Sequence, residues 1–597
     1  MHEYSVPTTF EIPATGSLTD DIVSHARDSP DRVALSRLVD GTWEHVTAGQ
    51  FLAEVREVAR GLMATGLAAG DRVALLSKTR YEWTLCDYAI WYIGAVTVPI
   101  YETSSPEQVG WILADAGAVL AIAETLAHRA MIDDLVPSLP SLRSIVGIDD
   151  RGLSKLAAED DGTVVSDEEL EQRRASVTPS SVATLIYTSG TTGRPKGCVL
   201  THRNFMVEVG VATDVLGALF ELDEASTLLF LPLAHVFARI IQVGAIKAGV
   251  RLGHTAEVTR LLDDLATFRP TFILAVPRVF EKIFNSASQR AASEGRGKIF
   301  AAAVTAAIAY SQALDRSGPG PLLRARHRLF DRLVYSKLRA AVGGQVTYAV
   351  SGGAPLGERL AHFFRGTGLP VLEGYGLTET TAAVAVNLPD AQRIGTVGRP
   401  IPGTEIRVDD HGELLFRGGQ IFSGYFNDPS ATAHALDEDG WFRTGDLGEI
   451  DDDGFVRITG RKQEILVTAG GKNVAPAVLE DRIRAHPLIS QCMVVGDGRP
   501  FVAALVTIDP EVFAEWGRAH GKGGPVGSWV RDTDLVAEVQ TAIDDANRAV
   551  SRAEAIRKFA ILPVEWTEAT GELTPTLKLR RTVVMSAFHD EIESLYM

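Results

Sequence analysis

Residues 187–197 read YTSGTTGRPKG, with hydroxyls at Thr188, Ser189, Thr191 and Thr192, glycines at Gly190 and Gly193, and Lys196 near the end. Hydroxyl and amide donors with one ammonium are suited to gripping an anion, and glycine lets the backbone approach it closely. The spacing excludes a Walker phosphate loop. Gly193 stands three residues before Lys196, Pro195 takes a glycine position, and Gly197 replaces the hydroxyl that would hold magnesium. The flanks VATLIY and GCVLT both read as strand, so no helix N-terminus closes the loop. A flexible hairpin tip would explain the glycines but not the hydroxyls gathered beside a lysine.

Five other stretches carry groups able to do chemistry: FLPLAHVFAR (230–239), SGGAP (351–355), EGYGLTET (373–380), WFRTGDLGEID (441–451) and GELTPTLKLRR (571–581). Taken singly, each has a plain structural explanation. Thr378-Glu379 fits a helix N-cap with its first-turn carboxylate, and Asp446 after Gly445 fits a turn. His235 fits a buried structural histidine and Lys578 a solvated surface group.

In this order, and with the glycine-rich loop before all of them, the stretches resemble the acyl-adenylate-forming enzymes: acyl-CoA synthetases, peptide-synthetase adenylation domains and luciferases. The matching motifs run from residue 187 to 581. The resemblance implies a triphosphate site at Thr188, Ser189, Gly190, Thr191, Thr192, Gly193 and Lys196. It implies an adenine wall at Ser351, Gly352, Gly353 and Ala354, with Tyr375 of the segment Glu373, Gly374, Tyr375, Gly376 lying against the base. Thr378 would bond the α-phosphate, and Glu379 would share Mg²⁺ with Thr188, an all-oxygen set of the kind magnesium takes together with nucleotide phosphates. Asp446 would accept both ribose hydroxyls with Arg461 as a second contact, and His235 would lie near the adenylate and the thiol's approach. Lys578 would be the catalytic lysine. TAGGKNVAP would offer Gly470, Gly471 and Lys472 to coenzyme A, and the hinge falls at Gln463, where many relatives carry Asp or Lys.

The reaction so implied joins a fatty acid to AMP from ATP, releasing pyrophosphate, and then passes the acyl group to coenzyme A. VPIYETSSPEQV (98–109), VPRVFEKIFN (276–285) and the closing IESLY resemble the long-chain fatty acyl-CoA synthetase branch. Nineteen residues follow Lys578, too few for an attached carrier domain, so a diffusible thiol is expected. A fatty acyl-AMP ligase serving a separate carrier protein shares every adenylation motif and stays open. A thioester hydrolase has no G-x-S-x-G elbow to support it, and a non-catalytic nucleotide scaffold would have no use for Lys578 together with Glu379.

These groups need a frame to hold them. DRVALLS, VTVPIY and AVLAIAE read as buried strands separated by helical stretches, and TLLFLPLA, TFILAVP and VTYAVSGG resume the pattern. Such alternation predicts layered α/β structure with parallel pairing. From residue 405 the short strands TEIRV, GELLFRG and GFVRITG predict a small β-barrel-like subdomain. A compact α+β unit with the hairpin QCMVVG-DGRP-FVAALVTID follows. The expected division is an N-terminal adenylation domain at 1–461 and a mobile C-terminal domain at 462–597. Residues 280–342 read as mostly helical, and PLLRARHRLFDRLVYSKLRAAVGG places Leu322, Leu329, Leu333 and Leu338 along one side with Arg and Lys on the other. Such a helix packs on a core with a solvated face, or docks on a membrane surface.

Composition fits an ordinary globular chain, at 46% hydrophobic and 22% charged. No apolar run reaches a membrane span, and the N-terminus lacks the pattern of a secretory signal. Three scattered cysteines fit a reducing cytoplasm better than a zinc site or a disulfide framework. The net charge of −18 argues against nucleic-acid binding, but local donors still govern a phosphate site.

Overall fold

Arg72–Leu76, Val96–Ile100, Leu120–Ala123 and Ser144–Gly147 are short, apolar and separated by helices, and they pair in parallel. Burial on both faces explains why their apolar residues run on instead of alternating. The structure, a computed structural model, describes residues 1–158, 164–188, 194–220, 222, 224–574 and 577–597. Val182–Thr188 extends this sheet in parallel, and Lys196–Thr201 closes it as an antiparallel edge. That last pairing sets Thr188 directly opposite Lys196 across the ends of the glycine-rich loop.

A second sheet runs Phe272–Ala275, Tyr348–Ser351, Val371–Leu377, Ala382–Val386 and Arg399–Pro400, the first three parallel. Ser351 and Glu373 are paired in register where those strands end, the edge at which open α/β sheets bind ligands. The register shifts between Tyr375 and Gly376, where a Cβ on Gly376 would lie 1.4 Å from the Ala382 carbonyl oxygen. Only glycine fits there. A third sheet joins Ser226–Leu229 and Arg251–His254 to the early strands Val33–Val39 and Thr42–Thr47. The barrel-like subdomain is an antiparallel sheet of Thr404–Val408, Glu413–Gly418, Phe442–Ile450 and Val456–Arg461. Its outer strand, Glu3–Ser5, comes from the N-terminus and was not foreseen from the sequence.

The main core centres on the helix Tyr81–Tyr92, buried at every residue but Glu82. Trp83, Tyr88 and Trp91 pack there against Phe51 and Phe205. The helix that begins at Pro106 opens with a capping box of Ser105 and Gln108, a start worth about 1 kcal/mol.

Beyond Arg461 the chain builds separate cores on the two faces of the sheet Ile489–Val495, Val502–Ile508 and Ile556–Ile561. Cys492 and Val494 face Leu479, Ile483 and Val539, while Met493 and Val495 face Trp566, Val584 and Ile592. Period-two alternation thus has apolar partners on both sides.

The helical stretch departs from expectation in one respect. Leu322, Leu329, Leu333 and Leu338 do not share a core face: Leu338 is buried, and the other three are exposed. The side that packs carries Phe330, Tyr335 and Leu338, and a π-helical turn occupies Asp331–Tyr335.

Candidate functional site

Strand pairing sets the first part of the site. Asp446 and Arg461 are opposite residues of adjacent strands, and the Arg461 Nε donates to Asp446 Oδ1 at 2.7 Å. The Tyr375 hydroxyl donates to Asp446 Oδ2 at 2.5 Å, joining the second sheet to the antiparallel one. Asp446 is buried, and its carboxylate still has lone pairs left for further donors. Tyr375 also packs against Phe416, its ring centroid 5.9 Å away, so the plane of its ring is fixed from two sides.

Glu379 lies in a single 3₁₀ turn, Thr378–Thr380, and Thr378 is buried within it. Glu379 Oε1 accepts a hydrogen bond from the Tyr425 hydroxyl at 2.8 Å. The Lys196 ammonium stands 5.3 Å from the centroid of the same Tyr425 ring and 3.9 Å from Asp428. Cys198, one strand residue on from Gly197, is buried between Glu379 and the Thr188 side chain. Burial and Glu379 push its thiol pKa well up, against a hydrogen bond from Thr188. Thr188 and Glu379 therefore both act on one buried thiol. Beside them an open cavity of about 400 Å³ is lined by Lys196, Tyr425, Asp428, Ser430 and His434. Ser189, Gly190, Thr191, Thr192 and Gly193 lie outside the described residues.

His235 caps the helix Val236–Ala248, its Nδ1 accepting from the Phe237 amide at 3.2 Å. Burial, aided by the Lys578 charge, lowers its pKa to about 3. The ring is neutral at pH 7, and because Nδ1 accepts, the proton sits on Nε2.

Lys578 reaches into the same space. Its amide donates to Thr574 Oγ1 at 3.0 Å and its carbonyl accepts from the Thr574 amide at 2.9 Å, closing the loop that carries it. Lys578 is exposed as a residue, while protein packed around its ammonium desolvates the charge. Burial and Arg461 lower its pKa, while Asp446, Glu379 and Glu464 oppose that shift. Lys578 thus lies within electrostatic reach of Arg461, Asp446, Glu379 and His235.

Other expected residues have different neighbours. Ser351 is buried, and its hydroxyl has no hydrogen-bond partner among the described residues. Gly352 approaches Phe237 and Gly374, Gly353 takes a left-handed φ of 83°, and Ala354 is exposed. The Glu373 carboxyl accepts from the Leu356 amide at 3.1 Å, holding this loop closed, and burial raises its pKa to about 7. Gly470, Gly471 and Lys472 stay on the surface of the C-terminal unit, where the Lys472 ammonium stands 3.4 Å from Glu554 and the Ala469 amide bonds the Arg499 carbonyl. The structure does not bring them to Lys578. Gln463 follows two clamped residues, Arg461 on Asp446 and Lys462 on Glu413 at 2.8 Å.

Sequence reasoning missed Tyr425 and Glu413. Tyr425 stands 46 positions from Glu379, and Glu413 also accepts from the Gly445 amide beside Asp446. The only local signal for Tyr425 was an aromatic residue in GYFNDP next to the turn-forming Asn-Asp pair.

The donors present suit a divalent cation. Glu379 and Thr188 would supply a carboxylate and a hydroxyl, and magnesium commonly takes one or two protein oxygens and completes its shell with phosphates and water. Among the described residues no cluster of three or more His, Cys, Asp or Glu side chains forms an all-protein metal cage.

Comparison with known proteins gives consistent matches. The model of the AMP-binding enzyme family matches residues 22–426, and that of the AMP-binding enzyme C-terminal domain matches 463–597. The chain is 53% identical over 599 residues to the long-chain-fatty-acid–CoA ligase FadD15 of Mycobacterium bovis, covering the whole of both chains. It is 32% identical to the peroxisomal long chain acyl-CoA synthetase 7 of Arabidopsis thaliana, over 98% of this chain and 87% of that one. Among solved structures, an anthranilate CoA ligase, AuaEII, in complex with anthranoyl-AMP superposes with a TM-score of 0.73 at 20% identity, over 96% of this chain and 98% of that one, a likeness of fold.

Proposed function

The chain belongs to the AMP-binding enzyme family, and on that premise we propose that it is an AMP-forming long-chain fatty acid–CoA ligase. The observation that carries the reading is the convergence of Lys578 with Asp446, Arg461 and Glu379 in one cleft. The chemistry explains why such a cleft is useful. A carboxylate cannot lose oxide, so acylation needs a better leaving group, and AMP provides one. The fatty carboxylate attacks the α-phosphorus in line while pyrophosphate leaves, and negative charge crowds at the centre of reaction.

Each residue has a part in that step. Asp446, already oriented by Tyr375 and Arg461, accepts the ribose hydroxyls, and the fixed Tyr375 ring takes the adenine beside the wall Ser351, Gly352, Gly353 and Ala354. Thr378 bonds the α-phosphate, Lys196 and the loop hydroxyls hold the departing phosphates, and the cavity beside Tyr425 leaves room for them. Lys578 sets its charge against the oxygens that become negative, a preorganised electrostatic contribution. Thr188 and Glu379 would hold Mg²⁺, which supplies neutralising charge to the phosphates when bound. His235, protonated on Nε2, offers a neutral donor near the acyl carbonyl.

Residues 1–461 and 462–597 form the two working domains, with Gln463 between them. This is supported by the clamps on Arg461 and Lys462 and by the separate cores beyond them. With Lys578 in the cleft and Gly470, Gly471 and Lys472 outside it, the arrangement suits the adenylating step, and thioester formation needs the C-terminal domain to turn. Coenzyme A is the acceptor. We place the enzyme in the cytoplasm, where its three free, buried cysteines stay reduced, in peripheral contact with a membrane.

The test supplies ATP, Mg²⁺ and coenzyme A with a ladder of fatty acids and follows pyrophosphate, AMP and thioester. Long acids should give all three products with AMP release dependent on free coenzyme A. ADP as product would overturn the scheme, and AMP release only with an added carrier protein would replace coenzyme A as acceptor.

A further inference from the structure

Glu208 lies midway along the helix His202–Val215, is 2% exposed, and has no cationic partner among the described residues. Glutamate is almost never buried to this degree unpaired, since burial penalises its charged form. Burial pushes its pKa well up, against one hydrogen bond from the Ala383 amide, so the neutral acid is favoured. A helix face that needed only packing would carry leucine there. What the carboxyl holds is a strained piece of backbone. Its Oε1 accepts from the Ala383 amide at 3.0 Å, while Oε2 has no hydrogen-bond partner among the described residues. Ala383 stands opposite Gly376 at the register shift, and the two residues before it, Thr381 and Ala382, have φ of 56° and 111°. Such angles cost about 1–3 kcal/mol each and persist only where the surroundings over-determine them. They directly follow the turn Thr378–Thr380, which the Thr381 amide closes onto the Thr378 carbonyl at 3.0 Å.

The same helix holds the other side of this turn. Asn204, one helical turn before Glu208 and also buried, donates through Nδ2 to the carbonyls of Gly419 and Ile421, both at 2.9 Å. That loop in turn grips the strained segment: the Thr381 hydroxyl donates to the Gln420 carbonyl at 2.6 Å, and the Phe422 amide to the Glu379 carbonyl at 2.8 Å. The turn carrying Thr378 and Glu379 is therefore held from two directions by side chains of one helix. That helix starts where the strand Lys196–Thr201 ends, with Thr201 as its cap. A rigid element thus joins the strand that carries Lys196 to the turn that carries Glu379.

We propose that Glu208 is a positioning residue for adenylation: by holding the Ala383 amide, its Oε1 keeps the Thr381–Ala382 kink in place and so sets the Thr378 hydroxyl and the Glu379 carboxylate for the nucleotide phosphates and their cation. It acts through the backbone and not by contact with the substrate. The inference rests on the roles given above to Thr378 and Glu379. What position 208 requires is an acceptor oxygen at the right reach, not a charge.

Hydrogen exchange on the full chain without nucleotide gives a readout apart from activity. Glu208→Leu should speed exchange of the segment 378–383 about tenfold or more, while the helix Tyr81–Tyr92 keeps its protection, which checks folding. With ATP, Mg²⁺ and a long-chain acid, the same variant should slow pyrophosphate release about 10–100-fold. It should also raise the Mg²⁺ concentration for half-maximal rate, leave the KM for the acid in place, and largely spare thioester formation from supplied acyl-adenylate. Glu208→Asp, which draws the acceptor back by one methylene and serves where leucine prevents folding, should lose rate in the same direction. Glu208→Gln returns an acceptor oxygen at full reach and should recover most of the rate. Unchanged exchange at 378–383 in Glu208→Leu, equal loss of both half-reactions, or a Glu208→Gln chain as slow as the Asp variant would each overturn the proposal. A wild type that releases no pyrophosphate with any acid overturns the ligase reading and this role with it. A wild type that does so, beside a leucine variant of equal rate, overturns the positioning role alone.

Discussion

Asp87 and Arg239 allow the energetics of the frame behind the segment FLPLAHVFAR to be tested. Both side chains are fully buried. Arg239 donates through Nη2 to Asp87 Oδ1 and Oδ2 at 2.6 and 2.8 Å, and through Nη1 to Thr184 Oγ1 at 2.5 Å. Thr97 and Gln242 donate to the same carboxylate at 2.7 and 3.0 Å. Burial raises the Asp87 pKa and lowers that of Arg239, in both cases against their mutual attraction. Desolvation therefore offsets most of the Coulomb gain, and the pair adds little net stability while each charge depends on the other.

Removing one partner strands the other. Asp87→Ala or Arg239→Met alone should each cost roughly 3–5 kcal/mol. The double variant removes both charges and leaves the Thr97 hydroxyl and a Gln242 N–H without their acceptor, each costing about 1–3 kcal/mol. Thr184 keeps a bond to the Thr97 carbonyl at 2.7 Å and is not stranded. The double variant should then cost about as much as either single, leaving a coupling of several kcal/mol. Urea unfolding followed by tryptophan fluorescence reports on this region, because Trp83 and Trp91 both lie against Arg239. Additive losses in the double variant, or single losses under about 1 kcal/mol, would refute the reasoning.

Four further outcomes can be checked. Lys578→Ala should lower pyrophosphate release about 10²–10³-fold while sparing thioester formation from supplied acyl-adenylate; equal loss of both half-reactions would remove Lys578 from its assigned role. Tyr425→Phe frees one Glu379 oxygen from its donor and should change the Mg²⁺ concentration for half-maximal adenylation, with little effect on the melting temperature. Burial lowers the His254 pKa to about 4, so the unfolded chain takes up a proton that the folded one refuses as pH falls from about 6.5 to 4. Stability held above pH 6.5 is lost over that window, by up to about 3 kcal/mol, and His254→Gln should flatten the acid limb of a stability–pH profile. Gly376→Ala should unfold or misassemble the Tyr375 segment, because the new Cβ falls on the Ala382 carbonyl, and circular dichroism melting would show the loss.

The sequence revealed what is local or ordered along the chain. Buried parallel strands announce themselves as apolar runs, and the helix that opens at Pro106 carries its capping box, Ser105 and Gln108, within three residues of sequence. Asp446 and Arg461 were legible only through the order of motifs, yet they are direct neighbours across two strands. Contacts between distant residues were not legible. Asp87 and Arg239 are 152 positions apart, Tyr425 and Glu379 are 46 apart, and Glu3–Ser5 finds its partner strand some 400 residues away. The leucine stripe misled for a different reason. Phe330, Tyr335 and Leu338 form a second apolar face on the same insert, and periodicity does not tell which of two faces the core takes.

How Lys578 could act in one step and leave for the next follows from where the contacts are strong. Each side of Gln463 has its own buried cores, and the two residues before it are fixed to Asp446 and Glu413. The polar contacts bridging the two sides are of another kind: Arg278 to Asp509 at 3.6 Å, the Arg359 guanidinium to the Ala485 carbonyl at 3.2 Å, and Thr103 to Glu568. Contacts of this type at a partly solvated boundary contribute about 0–1 kcal/mol each. A turn about Gln463, as the proposed function requires, would break these three contacts and leave the separate cores on each side in place. Burial and Arg461 disfavour the charge of Lys578 there, against the attraction of Asp446 and Glu379. On the proposed reading nucleotide phosphates would tip that balance to attraction before adenylation, and departing pyrophosphate would remove their charge, so the first step would itself weaken the hold on a domain that turns for the second.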